Sequence, residues 1–190
     1  MDRAGKIVPS ALAFEASLAL VAVGLGTVLG RSPLALLSPG WVPALAGTLA
    51  TLPTLLALWL VLRSSAPSIR RLIESVDTLV APLFRGCSIL ELALISIAAG
   101  VGEELLFRGL IQAELSAWLG PIAGVAGASL AFGLAHLITP TYALGAAVMG
   151  AYLGWLFLAF DSLLVPMVTH ALYDLVALSY LTRRTALREL

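Results

Sequence analysis

Residues 88–117 read SILELALISIAAGVGEELLFRGLIQAELSA. The stretch is long and apolar enough to cross a bilayer as a helix, yet Glu103, Glu104 and Arg108 stand within it. Ionisable groups at bilayer depth are costly and rarely retained without a task, so these residues are the first candidates for function. The chain's two histidines, His136 and His170, lie in equally apolar surroundings.

The rest of the chain agrees with a membrane setting. It is 60% hydrophobic and 12% charged, with a mean hydropathy of +1.01. A soluble domain of this size needs more polar surface. The 11 basic and 11 acidic residues give a net charge of +0, which offers no global field for a nucleic-acid partner. Cys87 is the only cysteine, so no intramolecular disulfide can form. Arg3 and Lys6 precede an apolar run to Leu29 that is too long for a signal-peptide core and is read as an uncleaved first helix.

Six spans are expected, at residues 7–29, 41–62, 88–117, 121–138, 142–160 and 163–181. Residues 68–85 differ. Ile69, Leu72, Ile73, Val76, Leu79, Val80 and Leu83 form one helical stripe, with Arg70, Arg71, Glu74 and Asp77 on the other face. This predicts an amphipathic helix on the membrane surface, with Ser68 as its N-cap. The expected fold is thus an all-α polytopic bundle of about six transmembrane helices plus one interfacial helix, a single domain over residues 1–190. With both termini cytoplasmic, Arg3, Lys6, Arg63, Arg70, Arg71, Arg85, Arg183, Arg184 and Arg188 fall inside, Arg31 outside and Arg108 within a span. That asymmetry satisfies the positive-inside rule.

The polar residues inside the spans have readable geometry. Glu104 and Arg108, four apart, can form an intrahelical ion pair. Glu103 points roughly 100° away and has no local partner. With a turn near Leu119, similar lengths of chain run from Glu103 to the turn and from the turn to His136, so both side chains sit at nearly one depth in an antiparallel pair. His170 and Asp174 share a face of the last helix. A glutamate and a histidine can together hold and deprotonate a water, and a second histidine can stabilise an oxyanion. The same donors are alternatively adequate for a catalytic zinc with an open position.

The motifs carry a resemblance. Glu103-Glu104-Leu105-Leu106-Phe107-Arg108 resembles the Glu-Glu-x-x-x-Arg signature of the CPBP family, membrane proteases that include CAAX prenyl endopeptidases and bacterial Abi proteins. Phe132 to His136 is similar to the second motif, Phe-x-x-x-His, and His170 to Asp174 to the third, His-x-x-x-Asn or Asp. Together they cover the region from about Ser88 to the end of the last span. The resemblance implies an endopeptidase acting on a membrane-associated peptide or protein. It implies water activation by Glu103 and His136, an oxyanion site at His170 and Asp174, and a structural or substrate-orienting pair in Glu104 and Arg108. It also places the protein in the plasma membrane of a prokaryote. Asp174 departs from the prenyl proteases, which carry Asn there. An ionised aspartate can only accept a hydrogen bond, so Asp174 is either protonated or orients His170. A metal-free glutamate mechanism is preferred, with zinc the alternative.

Competing readings are a non-catalytic immunity or scaffold protein and a transporter; neither requires the three motifs in order. Glu15 either lines the cavity or snorkels toward Lys6. Glu91 and Glu114 are read as interfacial. Phe132 is read as packing before His136. Gly100, Gly102, Gly109, Gly145, Gly150 and Gly154 are expected to allow close helix packing, with Gly102 and Gly109 also able to leave room for substrate. His136 lies so near the break at Pro140 that residues 139–141 are expected to dip into the membrane.

Overall fold

A computed structural model describes residues 4–187, and every regular element among them is helical. Arg3 and Arg188 lie outside the described residues, and the Lys6 side chain is likewise not described. Eight α-helices follow in order: α1 (Ala4–Val28), α2 (Trp41–Arg63), α3 (Pro67–Ser75), α4 (Ile89–Glu104), α5 (Ala113–Leu119), α6 (Pro121–Ala135), α7 (Pro140–Phe160) and α8 (Leu164–Leu187). A helix satisfies its backbone polar groups internally, which is why apolar segments of this length take that form in lipid. Large apolar side chains such as Leu20, Val28, Trp41 and Ile122 face outward from the bundle. The protein is an all-α helical membrane bundle.

Four segments are long and apolar enough to cross a membrane as single helices: Ile7–Val28, Trp41–Arg63, Pro140–Phe160 and Leu164–Arg184. The third expected span is a composite. Helix α4 runs into a wide-turned segment, Leu105–Gln112, and then into α5. The fourth is shorter than expected: α6 has 15 residues, a rise of about 22 Å against a hydrocarbon core of ~30 Å. Its end leaves His136 outside regular helix, at φ −100° and ψ 25°. Gly120 makes the expected turn at φ +89°, a conformation that favours glycine, and Pro121 starts α6 where a missing N–H costs nothing.

The amphipathic helix begins two residues earlier than a Ser68 cap implies. Pro67 occupies the first turn of α3 and Ala66 the cap position, so Ser68 is inside the helix and caps nothing. The helix then loosens into a wide turn (Val76–Val80) and a 3₁₀ turn (Ala81–Leu83). Glu91 closes a capping box with Ser88: its Oε2 accepts from the Ser88 N–H at 2.7 Å, and the Ser88 Oγ accepts from the Glu91 N–H at 3.3 Å.

Helix α8 is the hub, packing on α2, α4 and α7, while α1 lies against α4 and α6 against α7. Small residues permit these approaches. A Cβ at Gly100 would lie 2.8 Å from the Met167 carbonyl oxygen of α8, and one at Gly133 2.7 Å from that of Ala143 on α7. The expectation of close packing fails at Gly145, where a Cβ would meet open space. Gly102 and Gly109 leave no room for substrate: Glu15 fills the space over the first, Pro33 and Leu163 the space over the second. At one end of the bundle Arg31 pairs with Glu114 at 2.9 Å. At the other, Arg184 approaches Asp77 at 3.6 Å, and the turn between α6 and α7 faces α3.

Candidate active site

Glu103 and Glu104 end α4, both buried, and point to different neighbours. Glu104 is fully enclosed, and its Oε1 accepts from Arg108 Nη1 at 2.6 Å. Arg108 is equally enclosed. Its Nη2 donates to the Gly150 carbonyl of α7 at 3.0 Å, and its guanidinium lies 4.6 Å over the Phe132 ring. The expected pair is therefore present and also ties the wide-turned segment to α7. A charge this deep persists because Nη1, Nη2 and the face of the guanidinium are occupied, while among the described residues Nε finds no partner.

Gln112, four residues further along, repeats the contact by donating from Nε2 to the Gly154 carbonyl at 3.0 Å. The fit depends on glycine, since a Cβ at Gly154 would lie 2.5 Å from the Gln112 Oε1. Sequence reasoning missed Gln112. The available signal was its place in the progression 104, 108, 112, which keeps three polar groups on one face.

His170 reaches the same carboxylate. Its Nδ1 lies 2.8 Å from Glu104 Oε1, so with Glu104 ionised this nitrogen donates. The other nitrogen, Nε2, faces Asp174 Oδ2 at 3.6 Å, longer than a hydrogen bond. The sequence suggested Asp174 as the group that orients His170; in the structure the shorter contact is with Glu104. The contact is made where α4 and α8 approach closely, at Gly100, one turn from Glu104.

Glu103 meets α6, as the hairpin geometry requires. Its Oε2 lies 3.8 Å from His136 Nε2 and has no hydrogen-bond partner among the described residues. His136 Nδ1 contacts the Phe132 carbonyl oxygen at 2.9 Å. That oxygen can only accept, so Nδ1 carries the proton and neutral His136 presents an unprotonated Nε2 to Glu103. Phe132 is the common floor: it stacks on His136 at 4.4 Å between ring centres and meets His170 edge to face at 5.9 Å. The two histidines thus share one level despite their different distances from helix ends.

Glu15 of α1 joins this cluster rather than snorkelling outward. It is 8% exposed, its Oε2 has no hydrogen-bond partner among the described residues, and it packs against Gly102 beside Glu103. Among the described residues no three His, Cys, Asp or Glu side chains are grouped to hold a metal ion. Glu104 is already committed to Arg108 and His170.

Residues 85–176 match the family model described as type II CAAX prenyl endopeptidase Rce1-like, a region that holds all three motifs. No curated protein and no solved structure matches the chain. The domain at residues 85–176 is thus similar to the type II CAAX prenyl endopeptidase Rce1-like proteins, which is consistent with a CPBP family membrane protease.

Proposed function

We propose that this protein is a metal-free intramembrane endopeptidase in which Glu103 and His136 activate the water that hydrolyses a peptide bond of a membrane-associated substrate. The observation that carries the reading is the pair of open acceptors, Glu103 Oε2 and His136 Nε2, 3.8 Å apart with no hydrogen bond between them. A single water donates to both. Glu103 takes one of its protons as the water oxygen bonds to the carbonyl carbon.

The oxyanion so formed needs a donor in a site that excludes bulk water. His170, held at Nδ1 by Glu104, turns Nε2 toward the cavity beside Asp174. As an imidazolium between two carboxylates it donates from Nε2. Arg108 stays with Glu104 and Gly150 and keeps that scaffold neutral.

Both termini are assigned to the cytoplasmic side, because Arg63, Arg70, Arg71, Arg85, Arg183 and Arg184 gather on the side opposite Arg31; the plasma membrane of a prokaryote is proposed on the family resemblance alone. The turn that carries His136 faces α3 on that side, which gives water and substrate a cytoplasmic approach. The whole chain is read as one protease domain, a prenylated or leader-type peptide as its substrate class, and the bilayer as its other partner.

The test is peptide-release mass spectrometry on membranes containing the wild type, Glu103→Ala or His136→Ala. Each substitution is expected to lower the rate by a factor of ~10² to 10⁴. Near-normal turnover by either variant rejects the mechanism, and a wild type that releases no peptide favours a non-catalytic binding protein.

A further inference from the structure

Breaking the C–N bond of a peptide requires a proton at nitrogen, because an amide anion is too basic to leave. Glu103 and His136 face the water, and His170 faces the oxyanion. Glu103, once it holds the water's proton, is one donor for that nitrogen, and an acid on its other flank, away from the attacking water, is a second.

Glu15 stands on that flank. It enters from α1, outside the segment that matches the family model, and it is nine-tenths buried with an Oε2 unpartnered among the described residues. A polar atom left without a partner inside a bundle is costly, so one in an enzyme points to a group it meets during the reaction. Its position is specific. A Cβ on Gly102 would overlap the Glu15 carbonyl oxygen and lie 3.2 Å from its Oε2, so glycine at 102 is what lets this carboxyl reach the flank of Glu103. Glu103 turns from there toward α6 and His136, leaving Glu15 on its α1 flank.

We propose that Glu15 is the general acid that protonates the departing amine. This rests on the endopeptidase reading above. Glu103, Glu104 and Asp174 already contribute acids to the cluster, and Arg108 is its fixed cation. A further carboxylate adds uncompensated charge inside the bilayer, whereas a neutral carboxylic acid adds none and keeps an O–H to give.

The protons balance. Glu103 takes a proton from water as the O–C bond forms. The Glu15 O–H passes its proton to nitrogen as the C–N electron pair withdraws onto it, and the carbonyl re-forms from the oxyanion. A carboxylic acid and an amine leave. The site then holds a protonated Glu103 and an ionised Glu15, and one proton moved between them across Gly102 restores the start.

The test compares two substrates of one sequence in purified wild type and Glu15→Gln: the peptide, and an analogue with a p-nitrophenyl ester at the scissile bond. The phenolate leaves without protonation. Rates are taken per folded molecule, measured by size exclusion in detergent. Glu15→Gln is expected to lower kcat on the peptide by a factor of ~10² with little change in KM, and to cleave the ester at close to the wild-type rate. Glu15→Asp should recover part of the peptide rate. An equal fall on both substrates, or no fall on the peptide, overturns the role of Glu15 alone. A wild type that cleaves neither overturns the endopeptidase reading and this inference with it.

Discussion

The Nδ1 of His170 lies 2.8 Å from Glu104 Oε1, the oxygen that Arg108 also reaches, at 2.6 Å. One carboxylate on α4 thus fixes an imidazole from α8 and a guanidinium that bonds α7. Three helices depend on a single oxygen, and anything that disturbs it should reach stability and the site together.

Glu104→Gln keeps the shape of the side chain and removes the charge. Arg108 is then a buried cation without a counter-charge, a change that costs about 3 kcal/mol. Thermal unfolding in detergent should show the loss, and peptide release should fall in the protein that remains folded, because an amide can present its NH₂ to His170 in place of an acceptor.

Arg108→Ala should cost roughly 3 to 5 kcal/mol by stranding Glu104 and vacating the Gly150 carbonyl. Arg108→Lys should recover only part of this, since one ammonium cannot reach Glu104, Gly150 and the Phe132 face at once. Expression level and unfolding temperature are the measurements. A fully stable Arg108→Ala with selectively raised KM would mean that Arg108 faces substrate instead.

Gly102→Ala sets a methyl group against the Glu15 backbone, where it must push α1 away from α4. Overpacking of this kind costs typically 1 to 3 kcal/mol. Peptide cleavage should suffer beyond the loss of folded protein, since the displaced helix carries Glu15. Gly145→Ala, where a Cβ meets nothing, is the control and should be silent in both assays.

If no metal takes part, exhaustive chelation should leave peptide release intact and elemental analysis should find far less than one zinc per chain. Asp174→Asn should then be tolerated, because the amide adds a donor near the oxyanion and Glu104 still holds His170. Chelator-sensitive activity restored by zinc, together with an inactive Asp174→Asn, would establish the metal alternative.

Much of this protein is written in local sequence. Uninterrupted apolar length specifies helices in lipid, because no other segment can satisfy its backbone there. Spacing of four pairs Glu104 with Arg108, and similar chain lengths on either side of Gly120 set Glu103 beside His136. These are properties of one helix or one hairpin, so the chain dictates them without reference to the rest of the fold. What joins distant helices was decided by packing. The preference of His170 for Glu104 over its own-helix neighbour Asp174 arises where α4 and α8 approach closely, at Gly100. The grip of Gln112 on Gly154 depends on how α7 lies against the wide-turned segment. Glu15 reads equally well as a snorkelling surface acid until Gly102 admits it to the cluster. A sequence fixes which face of a helix a side chain occupies, but the neighbour that face meets depends on where glycines let backbones close, and that is a property of the assembled bundle.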